Sequence, residues 1–444
     1  MKTETVYDIL GVGIGPFNLG LAALTQPIKE LNCLFIDRKH AFNWHPGLML
    51  DDATLQVPFM ADLVTMADPI SPFSFLNYLK ESDRLYKFYI REDFFILRKE
   101  YNSYCKWVLA QLDNCRFCQE VVNITFNEET KLYSVLVQNT ITDEAHWYTA
   151  KQIVLGVGNT PNLPAFVKPE HAAYVCHASD YLLFKKEFTH RSSVTVIGSG
   201  QSAAEIFNDL LLERTDDLEL NWFSRPDRFF PMEYSKLTLE LTSPEYVDHY
   251  HSLPACKRES ILKGQNSLYK GINYDLINSI YDTLYQQSVD EESIPVRLSP
   301  CSELLSIEET ADKRVRLHFY HTQQERGFAV VTDAVILATG YSYHIPKCMD
   351  NIRGYINIDE NGKYLAARNY SIDKGNNTLF IQNGELNTHG FVTPDLGMGP
   401  YRNAVIINTI LGREYYKVEK RIAFQNFTAT PLVNEVTALF VNPN

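Results

Sequence analysis

The sequence predicts an α/β protein with two parallel-sheet domains and a smaller, mainly helical region. Two segments carry this prediction, because each is typical of a strand, a glycine-rich turn, a helix and a second strand. The first runs from Val6 through GVGIGPFNLGLAALT to the buried strand CLFID. The second runs from Ser193 through VTVIGSGQSAAEIFNDLLL to LELNWFSR. After this second unit, the periodicity of YDLINSIYDTLYQQ indicates a helical insertion.

The first glycine turn predicts a dinucleotide site. Gly11 allows the tight turn after the strand, and Gly13 lets the backbone approach a pyrophosphate at the helix N-terminus. The next strand ends in Asp37, a carboxylate placed to meet the ribose hydroxyls. An acid at this point requires a free 2′-hydroxyl, so the site suits FAD or NAD rather than NADP. Pro16 occupies the third glycine position of the motif.

The second turn predicts a site for a different nucleotide. It carries Gly198, Gly200 and Ala203, but its second strand ends in Ser224 and Arg225 instead of an acid. A carboxylate would repel a 2′-phosphate, whereas Ser and Arg can donate hydrogen bonds to it. We therefore assign NADPH to this turn, with a solvated surface charge as the alternative role of Arg225. Together with ATGY at 338–341, the two turns describe a flavoprotein that moves a hydride from NADPH to FAD.

Composition excludes several classes of partner. The 444 residues carry 41 Lys and Arg against 54 Asp and Glu, a net charge of −13 that argues against nucleic acid. The chain has no run of about 18 apolar residues, so no membrane span is expected. The N-terminal MKTETVYDILGVG lacks a signal-peptide pattern and the eight cysteines are scattered, so we expect a cytoplasmic protein with reduced thiols. Cys115 and Cys118 form a lone CxxC without a second pair, and no metal site is expected.

Six motifs together resemble one enzyme family. GVGIGPFNLGLA, FNWHPGLML, SPFSFLNYL, VIGSGQSAAEIF, LATGY and NTHG are similar to segments of the siderophore N-hydroxylating monooxygenases. These enzymes are the ornithine N5- and lysine N6-hydroxylases and their diamine-hydroxylating relatives. The resemblance extends from Tyr7 to about Arg413. It implies two Rossmann-like dinucleotide-binding domains, for FAD and NADPH, a mainly helical substrate-binding region and a protein that is often a homotetramer.

The resemblance also implies a mechanism. NADPH reduces FAD, the reduced flavin and O2 give a C4a-hydroperoxide, and the distal oxygen passes to an amine nitrogen. No side chain acts as a nucleophile; the cofactor carries the chemistry while the protein orients the substrate and excludes water. Two other flavoprotein classes are weighed against this one. A disulfide reductase needs a redox-active cysteine pair beside the flavin, and an NADPH oxidase or other flavin reductase needs no substrate region.

The glycine turns and the resemblance assign the site residues. For two of these residues an alternative role is considered. Asn273 would contact and position the substrate as well as NADPH, or else only cap a helix. His45 would contact the flavin, or else be a partly buried histidine whose hydrogen bonds are satisfied within the protein. FAD contacts are expected from Gly11, Gly13, Gly15, Pro16, Phe17, Asn18, Asp37, Trp44, His45, Gln56, Val122, Pro394, Asp395 and Leu396. NADPH contacts are expected from Gly198, Ser199, Gly200, Gln201, Ser224, Arg225, Asn273 and Tyr274. The domains are expected at 1–170 and 333–444 for FAD, 171–228 and 291–332 for NADPH, and 229–290 for the helical insertion.

Three substrate positions depart from the amino-acid hydroxylases. In those enzymes, a lysine five residues after the Gln56 position meets the substrate carboxylate, and here that position is Ala61. An asparagine and a serine that also contact the amino acid correspond to Leu239 and Gly397. A carboxylate buried without its counter-ion is destabilised by roughly 3–5 kcal/mol. The resemblance and these changes therefore favour an aliphatic diamine, cadaverine or putrescine, as the substrate.

The second ammonium of a diamine needs an acceptor, and Asp395 or Glu240 are the candidates. If Lys236 supplies the missing cation from a shifted loop, then lysine or ornithine remains the alternative substrate. Cadaverine and putrescine differ by one methylene, which is worth only ~1–3 kcal/mol of discrimination. The sequence does not decide between these two diamines.

Overall fold

The computed structural model describes residues 5–289 and 293–429. The predicted domain limits at residues 1, 291 and 444 lie outside the described residues. Within them the strands are β1 Val6–Val12, β2 Cys33–Ile36, β3 Cys115–Arg116, β4 Gln119–Asn127, β5 Leu132–Asn139, β6 Ala145–Leu155, β7 Thr160–Pro161, β8 Val175–His177, β9 Ser193–Ile197, β10 Glu219–Phe223, β11 Val296–Ser299, β12 Ser302–Glu309, β13 Val315–His321, β14 Arg326–Thr332, β15 Ala334–Leu337, β16 Tyr341–Ser342 and β17 Leu379–Ile381.

Helices connect these strands. In the described residues they are α1 Pro16–Thr25, α2 Phe75–Glu81, α3 Leu85–Arg91, α4 Arg98–Leu109, α5 Tyr181–Phe188, α6 Gln201–Leu212, α7 Lys236–Leu239, α8 Pro244–Ser252, α9 Ala255–Gly264, α10 Asn266–Tyr269, α11 Tyr274–Gln287, α12 Leu386–His389 and α13 Met398–Leu411. Short 3-10 turns lie at Pro46–Leu48, Pro169–Ala173, Ala178–Asp180, Lys347–Tyr355 and Gly390–Val392. None of these helices is long and apolar enough to cross a membrane.

The first domain is built on a seven-stranded sheet. Strand β1 pairs in parallel with β2 on one side and with β6 on the other. The late strand β17 pairs in parallel with the end of β6. The first part of β6 pairs with β5, and β5 pairs with β4, so these three strands form an antiparallel meander. The parallel part is buried on both faces, as expected for apolar strands covered by helices. Helices α1 and α4 pack on this sheet, and α13 packs against α1.

The second domain contains a parallel sheet in the order β11-β10-β9-β15-β8. Strand β15 pairs with β9 and β8, so the boundary predicted at residue 333 is corrected: the second domain includes residues 334–337. The four apolar residues of β15 are typical of any buried parallel strand. Their pattern therefore predicted a strand without indicating which sheet it joins.

The two domains are joined at two places. The chain leaves the first sheet through β7 and returns through β16, and these two short strands pair with each other. The turn Pro46–Leu48 of the first domain lies against Ala178–Asp180 of the second. A Cβ on Gly47 would lie 1.8 Å from the carbonyl oxygen of Ser179, so only glycine permits this approach. Apolar side chains that follow this turn, Leu48, Leu50 and Ala53, join the core of the second domain.

Helices α7 to α11 lie in the segment predicted as the helical insertion, and α11 packs against α6 in the core of the second domain. Tyr246, Val247 and Tyr250 of α8 pack against Phe391 and Val392 of the first domain. Because the segment after residue 391 also approaches the first glycine turn through α13, this contact places the helical insertion beside the cofactor site.

We expect Gly20→Ala to destabilise the protein, since a Cβ at this α1 position would lie 2.7 Å from the carbonyl oxygen of Leu63. Overpacking of this kind typically destabilises by about 1–3 kcal/mol, so the apparent Tm should fall by several degrees in calorimetry. Gly264 ends α9, and a Cβ there meets no atom within 4 Å. Gly264→Ala is the control and should leave Tm unchanged or slightly higher. Equal Tm values for the two variants would contradict the predicted clash.

Candidate active site

The first glycine turn has the shape of a phosphate cradle. Gly13 has φ +88°, and a Cβ there would lie 2.5 Å from the carbonyl oxygen of Gly156. At Gly15, by contrast, a Cβ would meet no atom within 4 Å, so the space in front of the turn is open. Helix α1 begins at Pro16, which has no N–H to leave unsatisfied. The turn therefore offers backbone donors and a helix N-terminus to an anionic group, which fits a pyrophosphate.

Asn18 was expected to contact FAD, and the structure corrects this expectation. The residue is fully buried. Its Nδ2 donates to the carbonyl oxygens of Val12, Gly13 and Val154, and its Oδ1 accepts from Gln382. Asn18 therefore fixes the glycine turn and presents no surface to a cofactor. The motif showed that an amide is required here without showing which groups it binds.

Asp37 lies against the same turn. Its Oδ2 accepts the Ile14 N–H at 2.7 Å and its Oδ1 accepts the Lys39 N–H at 2.8 Å. A carboxylate can accept about four hydrogen bonds, so acceptor capacity remains for ribose hydroxyls. Val122 sits at the point where the pairing of β4 with β5 skips one residue, which leaves its backbone outside the ladder. Unpaired backbone groups at this bulge could pair with the edge of a base, in keeping with the expected FAD contact.

The other end of this cleft contains Trp44 and His45. His45 has a left-handed backbone with φ +47°, and its ring centroid lies 4.8 Å from that of Trp44 and 6.2 Å from that of Tyr341. The residue as a whole is exposed, yet loss of water around the ring, with a smaller effect of Arg98, lowers the pKa of His45 to about 4. The imidazole is therefore neutral at physiological pH. Tyr341 of ATGY brings the second domain to this ring.

Next to Gln56 the structure contains a cavity of about 240 Å³. The Nε2 of Gln56 is buried without an acceptor in the described protein, an arrangement that a bound ligand would satisfy. Among the seven residues that form the wall of the cavity, there is one carboxylate and no cation. The wall consists of Gln56, Phe95, Met232, Tyr234, Asn273, Tyr274 and Asp275.

Asn273 caps a helix and also lines the cavity. Its Oδ1 accepts the N–H groups of Asp275 at 2.9 Å and Leu276 at 3.2 Å, so the side chain caps α11. The same residue lines the cavity. Because only Oδ1 is used by the cap, the Nδ2 donors remain for a ligand.

Three predicted substrate residues, Ala61, Asp395 and Gly397, lie close to one another. A Cβ on Gly397 would lie 3.6 Å from the Cβ of Ala61 and 3.0 Å from Oδ1 of Asp395. This Oδ1 accepts the Gly397 N–H at 2.6 Å, and burial raises the pKa of Asp395. Burial, and then the charge of Asp395, raise the pKa of Tyr234 to about 12. Since Tyr234 lines the cavity, Asp395 lies close to its wall.

Two other predicted substrate residues, and the alternative cation, lie elsewhere. Leu239 and Lys236 are exposed on α7. Glu240 accepts the N–H groups of Phe424 and Gln425, so its carboxylate holds a late segment of the chain. None of the three lines the cavity, and the expectations for Leu239 and Glu240 are corrected. The position of Leu239 was inferred from a correspondence with other enzymes and Glu240 from its charge, whereas the direction of side chains at a helix of four residues depends on packing that neither shows.

The second glycine turn is equally tight. Gly198 has φ +155°, and a Cβ there would lie 2.4 Å from the carbonyl oxygen of Ala338. Ser224 is fully buried and its backbone pairs with Ser299 and Ser302, so the expected contact with NADPH is corrected. Side chains alternate along a strand end, and the serine points inward where Arg225 points out.

Arg225 is exposed, and the nearest carboxylate, on Glu303, lies 3.8 Å away. Burial and then the charge of Arg225 lower the pKa of Lys270, which shows that these two cations lie close together. The sequence interpretation missed Lys270. Its only signal was a lysine three residues before Asn273 in KGINYDL. Two cations beside the second turn fit the 2′-phosphate of NADPH.

The described residues contain neither a cluster of metal-binding side chains nor a disulfide. No group of three or more His, Cys, Asp or Glu side chains in residues 5–289 and 293–429 could hold a metal ion. The eight cysteines all fall in this part of the chain and are free.

Known proteins share this fold and these motifs. Residues 5–343 match the family described as L-lysine 6-monooxygenase/L-ornithine 5-monooxygenase. The chain is 48% identical to the putrescine N-hydroxylase of Acinetobacter baumannii, over 97% of this chain and 95% of the relative. It matches the FAD-bound crystal structure of the desferrioxamine-pathway cadaverine monooxygenase from the fire blight pathogen Erwinia amylovora, with a TM-score of 0.93, 48% identity and coverage of 96% and 99%.

A more distant match contains both cofactors. It is the ornithine N-hydroxylase of Kutzneria sp. 744 with reduced FAD, NADP+ and L-ornithine, with a TM-score of 0.85, 25% identity and coverage of 92% of this chain and 99% of that one. The predicted α/β fold with two dinucleotide-binding domains is confirmed, as are FAD and NADPH as cofactors and O2 as cosubstrate.

If Arg225 and Lys270 bind the 2′-phosphate, Arg225→Gln and Lys270→Gln should each raise KM for NADPH by about tenfold to a hundredfold, since hydrogen bonds to charged groups are worth about 1.5–3 kcal/mol. KM for NADH, which lacks this phosphate, should change little. Steady-state oxidation of the two nucleotides in parallel measures the difference. An equal rise in KM for NADPH and NADH would show that these two cations do not bind the 2′-phosphate.

Proposed function

The chain belongs to the L-lysine 6-monooxygenase/L-ornithine 5-monooxygenase family, and we propose that it N-hydroxylates one primary amine of an aliphatic diamine, cadaverine or putrescine. The reaction is RNH2 + NADPH + H+ + O2 → RNHOH + NADP+ + H2O. Bound FAD supplies the oxygen-transfer chemistry. The chain binds the amine, orients it and excludes water. A hydroxylated diamine of this kind serves hydroxamate siderophore biosynthesis, the context in which the relatives are named.

The observation that carries this proposal is the charge of the cavity. Its wall contains the carboxylate of Asp275 and no Lys or Arg. A Cβ on Gly397 would lie 3.6 Å from the Cβ of Ala61, and these are two positions at which the resemblance to the amino-acid hydroxylases predicts contact with the head of the substrate. A substrate carboxylate in this place would be buried without a counter-ion, which typically destabilises by about 3–5 kcal/mol. A diamine has no carboxylate and carries positive charge, so it fits the acidic wall.

Asp395 is the proposed acceptor for the second ammonium. Its Oδ1 is held by the backbone of Gly397 and Met398, which fixes the carboxylate while lone pairs remain for a ligand. Glu240, the other candidate, does not line the cavity, and backbone N–H groups bind both of its carboxylate oxygens, Phe424 at Oε1 and Gln425 at Oε2.

The reacting amine must be neutral, because only an uncharged nitrogen has a lone pair to accept oxygen. An alkylamine has a pKa near ~10.4 in water. Phe95 and Met232 give the cavity apolar surface, and desolvation in such surroundings lowers the pKa of an amine. In this proposal the diamine keeps one charged ammonium near Asp395 and turns its other amine, in the neutral form, toward the flavin.

The alternative substrates are lysine and ornithine. They would require a cation near Ala61, and Lys236 is exposed on α7 instead of lining the cavity. The structure favours neither diamine, since the Acinetobacter relative is named for putrescine and the Erwinia structure for cadaverine at the same 48% identity.

The finer expectations of location and assembly belong to this proposal. We place the enzyme in the cytoplasm, where NADPH is available and its free cysteines stay reduced. We also propose a homotetramer, supported by apolar side chains that α3 leaves exposed, Tyr86, Tyr89 and Ile90. Uncovered apolar surface of this kind is typical of protein interfaces, and light scattering of the purified protein measures the assembly.

The experiment that tests the function offers cadaverine, putrescine, lysine and ornithine in parallel to the protein with FAD, NADPH and air. Hydroxylamine product and NADPH consumption are measured together over a range of concentrations. Product with the diamines alone supports the proposal. Product mainly with an amino acid would overturn it, and NADPH consumption without product from any amine would indicate an oxidase.

Ala61→Lys should raise KM for the diamine by about tenfold or more, because it places a cation beside Gly397 where the substrate carries its own charge. Met60→Lys is the matched control, since Met60 is 47% exposed and one residue away. It adds the same charge in solvent and should leave KM unchanged. Identical KM values for the two variants would remove Ala61 from the substrate site.

Asp395→Asn should raise KM for the diamine by about tenfold to a hundredfold while keeping the Oδ1 acceptor of the turn. In the unsubstituted enzyme the carboxylate must be ionised to bind the ammonium. Because burial raises its pKa, KM should begin to rise at a higher pH than for an ordinary aspartate as the medium is acidified. This acid limb should be absent in Asp395→Asn, as measured by pH profiles of kcat/KM. If the acid limb were unchanged in Asp395→Asn, the loss of kcat/KM at low pH would come from the protonation of another group.

A further inference from the structure

A buried ion pair crosses from the first domain to the second. Arg98 begins α4 on the first sheet, and Glu205 lies on α6 after the second glycine turn. Their side chains are 11% and 5% exposed. Arg98 Nη2 lies 2.7 Å from Glu205 Oε1, and Arg98 Nη1 lies 3.0 Å from Oε2, a bidentate arrangement.

The pair is one part of a longer polar chain. Arg98 Nη1 also donates to the carbonyl oxygen of Leu48 at 2.6 Å, just after the His45 turn. Gln201 Nε2 donates to Glu205 Oε1 at 2.9 Å, and Gln201 Oε1 accepts the Asn273 N–H at 2.8 Å. An unbroken series of contacts therefore joins the flavin end of the first domain, the second glycine turn and the residue that lines the amine cavity.

Stability alone does not account for this arrangement. Two charges lose their hydration on burial, and apolar residues of similar volume at such places are often neutral or stabilising. The bidentate pair does, however, fix distance and orientation in a way that apolar packing does not. Its position also matters for the site, because Arg98 contributes to the lowered pKa of His45.

We propose that Arg98 and Glu205 are positioning residues: through Gln201 they hold Asn273 and the NADPH turn in a fixed relation to the flavin end of the first domain. Neither residue lines the amine cavity. Their loss displaces Asn273 and the bound nucleotide relative to the flavin. The consequence is uncoupling, in which NADPH + H+ + O2 → NADP+ + H2O2 replaces transfer of oxygen to the amine.

Two variants and one control test this proposal in the FAD-loaded enzyme. The double variant Arg98→Met/Glu205→Leu removes both charges and so leaves neither unpaired, which protects the fold. Glu205→Gln keeps the shape of the side chain and removes its charge. Asp209→Asn is the control, because Asp209 lies one turn later on α6 and its partners, Lys185 and Tyr181, both belong to the second domain.

The first measurement is the ratio of hydroxylamine formed to NADPH consumed, with H2O2 measured alongside. We expect the ratio to fall by about threefold to tenfold in the double variant, and less in Glu205→Gln, as is typical for loss of coupling between sites. Asp209→Asn should keep the ratio of the unsubstituted enzyme. An unchanged ratio in the double variant, or an equal fall in the control, would overturn the proposal.

This activity measurement rests on the proposed function, so the second measurement is independent of any amine. Hydrogen exchange of a peptide covering residues 270–280 reports the Asn273 N–H, which donates to Gln201. Faster exchange is expected in the double variant and not in Asp209→Asn, and no difference between them would overturn the proposal. If no amine yields hydroxylamine with the unsubstituted enzyme, the proposed function fails while the exchange experiment still decides the positioning role.

Discussion

The backbone of the turn Pro46–Leu48 lies directly on the carbonyl of Ser179, and the relation between the two nucleotide sites depends on this contact. Gly47 has no Cβ that could separate the two chains. The residues that follow it enter the core of the second domain, so one short segment contributes to both domains. His45 precedes this turn and Tyr341 faces it from the ATGY segment. A hydride can pass between two cofactors only if they meet, and this close approach holds the two domains that carry the glycine turns together.

The sequence predicted features whose chemistry is local. Gly13 and Gly198 were identified because a strand, a turn and a helix in succession need a residue without a side chain, and both have positive φ in the structure. Asn18 and Ser224 do lie next to the two glycine turns, but both are buried and not exposed to a cofactor as expected. Their burial depends on strands that are distant in sequence. The same limit applies to β15, whose partners β8 and β9 lie far from it along the chain. Pairing between remote segments leaves no local pattern.

The amine site shows the same division. Ala61 and Gly397 were compared separately with other enzymes, and the structure brings them close enough that a Cβ added to Gly397 would lie 3.6 Å from the Cβ of Ala61. The comparison that selected Leu239 gave its position along the chain but did not show that it lies exposed on α7. Lys270 could not have been singled out from its neighbours, because its meaning comes from Arg225, which lies on another element. Charges that act together are recognised only when the fold brings them together.

The first sheet is completed by β17, which pairs with β6 after the whole second domain and the helical insertion have been made. Helix α13 follows it and packs on α1, the helix of the first glycine turn. During synthesis, the second domain can therefore form its own parallel sheet while the first still lacks the strand that pairs with the end of β6. The hydrogen bond from Gln382, just after β17, to Asn18 of the first glycine turn also forms only then, so we expect the flavin to be loaded late in synthesis.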